Sequence, residues 1–174
     1  MKKIILIFIF VLMATLSFAR LNELSVCGIK MGTEKEEAKR ILRDRFGYLS
    51  VEEDAGNICV YDGSVGGISH KFMTFIFTWI DGRSMFNGAI FSTPYEMNQQ
   101  KDAIEHRELL KSVYEKKYDI DSYTNEDGFK TYRFGKEMEL YGVITTKKAK
   151  GKDGKLRIYT DVYYWGPYDE TSDI

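Results

Sequence analysis

The chain has 174 residues, 25 basic and 26 acidic side chains, and a formal net charge of −1. That balance excludes a long-range electrostatic pull toward nucleic acid or an anionic membrane surface. Only two prolines occur, Pro94 and Pro167, and no low-complexity tract or shift in composition marks a domain boundary.

Residues 1–19 have the three-part layout of a secretory signal peptide. Lys2 and Lys3 supply the positive start, residues 4–16 are apolar or small, and Ser17-Phe18-Ala19 precedes the return of charge at Arg20 and Glu23. The apolar run is shorter than the ~20 residues that span a bilayer. Cleavage after Ala19 is expected, with no transmembrane segment left behind. Residues 20–174 then form a single α+β domain in the periplasm, at the cell envelope or outside the cell. Leu24-Ser25-Val26-Cys27 looks like a lipid-attachment motif, but Val26 is branched where glycine or alanine is wanted, and polar residues separate Cys27 from the apolar run.

Cys27 and Cys59 are the two cysteines. An even count in an exported chain points to one disulfide between them, worth about 3–4 kcal/mol on the chain-entropy view. The alternative is a pair of buried thiols acting as small apolar side chains. No histidine stands at metal-ligand spacing from either one.

Thr33 and Glu36 have the spacing of a capping box. The helix they open, residues 34–46, carries Ala38, Ile41, Leu42 and Phe46 on one face and stops at Gly47. Strands are predicted at 48–53 and 57–61 around the turn Asp54-Ala55-Gly56, and then at 68–80, with Met73, Phe75, Phe77 and Trp79 on one face. Asp81-Gly82 turns the chain into a return strand, 85–93, that breaks off at Pro94. A second helix covers 97–118, with Ala103, Leu110, Val113 and Tyr114 as its apolar stripe. Strands follow at 120–123, 129–134, 138–148 and 156–165, the last two joined by a loop with an Asp-Gly signal at Asp153-Gly154.

The order is helix, four strands, helix, four strands, in units that begin about 65 residues apart. Lone helices between runs of strands predict an α+β fold, an antiparallel sheet with two helices packed on one face. Residues 28–94 and 95–168 are the candidate units of a tandem α-β-β-β-β repeat, although side-chain identity between them is slight.

Gly28-Ile29-Lys30-Met31-Gly32-Thr33, leading into a short amphipathic helix, resembles the opening of many secreted bacterial proteins of unknown function. Leu109-Leu110 and Tyr114-Glu115-Lys116-Lys117-Tyr118 resemble a later helix of those proteins, with Asp119 where they have glycine. The repeated helix-plus-sheet order is similar to the β-lactamase inhibitor protein architecture. Both resemblances imply a fold, and neither supplies a catalytic residue or cofactor.

The only histidines are His70 and His106. Glu105-His106 lacks the second histidine of a zinc-protease motif, and the helical spacing turns His106 toward the buried side. His70 follows Gly66-Gly67 with no visible triad order. Gly63-Ser64-Val65-Gly66 lacks the first glycine of a nucleophile elbow. The oxygen-rich run Asp119–Asn125 lacks the glycine and closing glutamate of a calcium loop. Glu52-Glu53-Asp54 and the acidic tail 169–173 read as solvated charge. No phosphate loop or dinucleotide fingerprint occurs, and no metal or cofactor is expected.

The last strand alternates two sets of residues. Leu156, Ile158, Thr160, Val162 and Tyr164 form a core face, and Arg157, Tyr159, Asp161, Tyr163 and Trp165 form the other. Tyr141 on the preceding strand could join the second set. Tyr, Trp and Arg together compose a binding surface, but they also compose a cross-strand aromatic cover. The role expected is non-catalytic binding of a protein, peptide or glycan. The rivals are an enzyme, which requires a concave pocket joining His70 or His106 to acids, and a structural component of the envelope.

Overall fold

The computed structural model describes residues 24–136 and 139–166. The leader, the expected new terminus at Arg20 and the acidic tail lie outside the described residues. Among the described residues no helix is long and apolar enough to cross a membrane.

The chain opens with a small hairpin, β1 (Ser25–Val26) and β2 (Ile29–Lys30). Cys27 and Gly28 turn it with φ of 55° and 88°, the left-handed pair that a two-residue hairpin of matching twist requires. Helix α1 (Lys35–Phe46) follows, then a single 3-10 turn over Tyr48–Ser50. Four strands form a meander: β3 (Val51–Asp54), β4 (Asn57–Val65), β5 (Ile68–Ile80) and β6 (Arg83–Tyr95). Helix α2 (Gln100–Tyr114) leads into a second meander of β7 (Asp119–Thr124), β8 (Lys130–Lys136), β9 (Glu139–Lys150) and β10 (Leu156–Trp165).

The eight strands β3 to β10 make one antiparallel sheet in the order β3-β4-β5-β6-β10-β9-β8-β7. The two meanders therefore meet through their last strands, with Val162 opposite Phe91 at the seam. Helix followed by four strands occurs in both halves, a likeness of element order. The fold is thus α+β, with α1 packed on β3, β4 and β6, and α2 on β6, β9 and β10.

Both helices cover the same face. Ala38 and Leu42 of α1 and Ala103 and Leu110 of α2 are buried there against Met73, Phe75, Phe91 and Val162. Much of the aromatic content lies in this layer as a chain of ring contacts. Phe77, Phe86, Phe75, Phe91, Tyr164 and Phe134 follow one another at centroid distances of 5.3–6.0 Å. Tilted and edge-on pairs at such spacings add to the stabilisation from burial itself.

Several local expectations are corrected. The Thr33 capping box does not form. Glu34 is the N-cap without a side-chain cap, because it is tied to the sheet instead, bridging Met85 and bonding Arg83 at 2.9 Å. Strand β6 runs through Pro94 to Tyr95. Its pairing with β5 ends at Ser92, so Pro94 has only β10 beside it and its missing N–H deprives no second strand. Tyr48 to Ser50 form a 3-10 turn rather than strand, and α2 ends at Tyr114 rather than Tyr118. Trp79 is 69% exposed although it alternates in step with Met73, Phe75 and Phe77, because it stands at the end of β5, with only Ile80 between it and the Asp81-Gly82 turn.

The Cys27–Cys59 disulfide is also corrected: both cysteines are free thiols. Cys27 is buried in the core beneath the helices. Cys59 projects from β4 between the core residues Ile58 and Val60, and so to the opposite face, where its Sγ lies 3.9 Å from Thr74 Oγ1. Cys27 sits in the turn of the separate β1–β2 hairpin on the helix side, so the large sheet stands between it and the Cys59 side chain, and disulfide geometry is out of reach.

Candidate functional site

Because both helices pack on one face, the other face of the sheet is open along its centre. A groove of about 930 Å³ lies there over β4, β5, β6, β10 and β9. At one end the β3–β4 turn and the β9–β10 hairpin approach each other, and Lys152 Nζ lies 3.5 Å from Asp54 Oδ2. Four strand positions separate β4 from β9 in the sheet order, so this cross-groove pair records how strongly the sheet curls.

The alternation of β10 divides its residues between the two faces. Ile158, Thr160, Val162 and Tyr164 are buried on the helix side, and Leu156, at the strand's start, is exposed. Arg157, Tyr159, Asp161 and Tyr163 line the groove. Trp165 is 43% exposed beyond the groove's end. Tyr141 does not join them. It packs edge-on against Tyr118 at 5.8 Å, alongside the core.

Asp161 is the polar centre of the groove floor. Only 2% exposed, it accepts hydrogen bonds from Ser92 Oγ at 2.6 Å and Tyr163 Oη at 2.8 Å, and Lys147 Nζ lies 3.0 Å away. Ser92 is its direct partner across the β6–β10 seam, so strand register builds the pair. Burial opposes the Lys147 charge, but Asp161 and the Tyr163 hydroxyl outweigh it and raise the ammonium's pKa. Tyr163 is raised by burial and then by Asp161, so its hydroxyl stays protonated and donating.

Arg157 stiffens the hairpin rather than standing free. It forms two bonds to Asp153, at 2.8 and 2.7 Å, and reaches Glu96 at 3.3 Å. Its guanidinium, with the Lys155 amide, pulls the Asp153 carboxyl down to about 2. Gly151 lies close beside this cluster: a Cβ there would sit 2.6 Å from Arg157 Nη1 and 3.0 Å from Tyr159 Oη, so these side-chain ends would have to shift to admit one.

The groove also holds two rings that the reading of the last strand missed, Tyr61 and Phe72. They form an edge-on pair at 6.0 Å and are 39% and 38% exposed. Tyr61 was legible in principle, since Cys59 and Tyr61 alternate with the apolar Ile58 and Val60. Phe72 was not, because Lys71 and Phe72 are both exposed in succession and so break the period of two.

Chemically, most of the groove's charge is satisfied. Of its five cations, four are paired: Lys71 with Asp62, Lys147 with Asp161, Lys152 with Asp54 and Arg157 with Asp153, while Lys150 on the rim has no acidic partner among the described residues. Burial raises the pKa of Cys59, which keeps it a thiol and a poor nucleophile. No group of three His, Cys, Asp or Glu able to hold a metal forms among the described residues.

The histidines lie on the other side of the sheet. His70 of β5 and His106 of α2 meet there, with ring centroids 5.8 Å apart and ring planes inclined by 39°. His106 lines a shallow cleft that also contains Glu105, but no hydrogen bond joins either imidazole to a carboxylate among the described residues.

No protein-family model, curated protein or solved structure matches the chain.

Proposed function

We propose that the protein is an exported, non-catalytic binding module whose ligand, a peptide or glycan segment, lies in the groove on the open face of the sheet. The observation that carries this reading is the division of the two faces. One is closed by both helices, and the other presents Tyr61, Phe72, Tyr159 and Tyr163 around a groove of about 930 Å³. Aromatic side chains offer large contact areas with few rotatable bonds, so ordering them on binding costs little entropy. All but one of the groove's cations, Lys150, have an acidic partner, so selection falls mainly to ring contacts and directional hydrogen bonds rather than to net charge. The export signal at residues 1–19 supports a place in the periplasm, at the envelope or outside the cell, and the chain's balanced charge favours no nucleic-acid partner.

Peptide and glycan arrays probed with the leaderless protein test the reading. Ligands that bind are expected to be lost on Phe72→Ala and Tyr159→Ala and retained on Trp79→Ala, which changes an exposed ring away from the groove. Binding that survives both groove substitutions would overturn the proposal. Turnover of an array ligand would favour an enzyme instead.

A further inference from the structure

We propose that His70 and His106 together bind a divalent transition-metal ion of borderline softness, zinc or copper(II), in the cleft between α2 and the sheet. Five buried side-chain polar atoms lack a hydrogen-bond partner among the described residues, and two of them belong to this ring pair, His70 Nδ1 and His106 Nε2, while a third, Thr93 Oγ1, is on a residue that lines the cleft with His106. Orphaned buried polar atoms are rare and costly, and their concentration at one place calls for a guest that the protein atoms do not supply.

The geometry selects the guest. With metal–nitrogen bonds of about 2.0–2.1 Å, an ion shared by two imidazoles places the ring centroids roughly 5–6 Å apart. The observed separation is 5.8 Å. His70 is 2% exposed and held against Phe91 at 5.2 Å, so its ring is fixed by packing. His106 is fixed by its other nitrogen, since Nδ1 lies 2.8 Å from the Tyr95 hydroxyl. A polar partner on the ring nitrogen that does not face the ion is the usual outer shell of a metal-binding histidine.

Burial also keeps both rings neutral, His70 down to about 4 with His106 adding to the effect, and the neutral imidazole is the form that ligates. Two nitrogens without an acidic oxygen suit zinc or copper(II) and not calcium or magnesium, which require oxygen ligands. Thr93 Oγ1 and Glu105 lie on the wall of the cleft, and water completes the coordination. With only two nitrogen ligands the affinity should be modest, in the micromolar range.

Sequence spacing could not expose this pair, because one histidine comes from β5 and the other from α2. The test uses leaderless, untagged protein titrated with zinc and with copper(II) at neutral pH. One equivalent should bind, with affinity reduced at least tenfold in His106→Phe and in His70→Phe, and less strongly in Tyr95→Phe. Undiminished binding in folded histidine variants would place the ion elsewhere and overturn the proposal, as would no binding by the parent protein. Should either variant fail to fold, imidazole NMR of the parent protein decides. Sub-stoichiometric copper(II) should broaden the resonances of both rings, and sharp resonances from both would overturn the site. Neither result bears on the groove, which lies on the opposite face.

Discussion

His70 shows how packing determines a protonation state. Desolvation comes first and the neighbouring His106 second, and together they lower its pKa from 6.5 to about 4. Between those values the unfolded chain holds more protons than the folded one, so stability rises with pH across the window. The contribution is complete above pH 6.5 and is lost as pH falls toward 4, a loss on the order of 3 kcal/mol. His106 is lowered by burial and acts in the same direction. The carboxylates act lower on the scale. Glu53, bonded by Lys35 and Lys39, and Asp153, bonded by Arg157, are both drawn down to about 2, so their contributions fade from about pH 4.5 downward. Denaturant unfolding in a chelating buffer should show a fall in stability between pH 6.5 and 4.5. In His70→Phe that slope should flatten while the drop below pH 4 persists. An unchanged slope would mean that the imidazole is hydrated in the folded state. The cysteines give a second residue-scale expectation. Burial drives the Cys27 thiol up to about 12, so Cys27 should resist alkylation until the chain unfolds. Cys59, partly accessible on the groove side, should react slowly in the native state because its raised pKa keeps it mostly protonated, and mass spectrometry after timed labelling distinguishes the two.

At the scale of elements, α2 is attached to the second meander by polar anchors as well as by its apolar stripe. Arg107 is buried and donates to the Lys130 carbonyl at 2.9 Å and to Glu108 at 2.6 Å, while Tyr132 donates to Glu108 at 2.7 Å. Thr160 Oγ1 donates to the Ala103 carbonyl at 2.8 Å, tying the helix to β10. Arg107→Ala would remove a buried guanidinium together with its bonds to the Lys130 carbonyl and the Glu108 carboxylate, so a loss of about 2 kcal/mol is expected in chemical denaturation. A loss below about 0.5 kcal/mol would show that water replaces the guanidinium. Nothing in the sequence separated this arginine from solvent-facing charges. It occupies the helical position between Ala103 and Leu110, and periodicity alone would have left that position to an apolar residue. The same limit runs through the fold. Helix α1, the hairpins and the alternation of β10 were legible, because each rests on a local period or turn. What was not legible depends on partners distant in sequence: Glu34 bridging Met85 in place of the capping box, Pro94 tolerated beside a single neighbour, Trp79 left uncovered at the end of its strand. The cysteine pairing failed for the same reason. An even count says nothing about which face of the sheet each thiol occupies.

The whole molecule is a curled sheet with one face closed by helices, and the seam between its two halves runs under the groove. Ser92 and Asp161 face each other across that seam, so the groove floor and the joint between the meanders share one polar network. Some groove residues are therefore structural and others available for contact, and substitutions should separate them. Tyr163→Phe keeps the ring but removes the bond to Asp161, so it should cost about 1 kcal/mol of stability and leave ligand binding nearly intact. Tyr159→Ala removes a half-buried ring whose polar neighbours, Arg157 and Gly151, belong to an exposed hairpin. It should change stability by less than about 1 kcal/mol and reduce binding at least tenfold. Trp165→Ala, beyond the groove's end, should alter neither quantity strongly. Ionic strength supplies the complementary measurement. A groove in which only Lys150 is unpaired, on a chain of net charge −1, should bind with less than about twofold change in affinity between roughly 0.05 and 0.5 M salt, a range over which the screening length falls severalfold. A steep decline with salt would identify a charged ligand held by the lysines, and the aromatic groove would then be a support for that contact rather than its source.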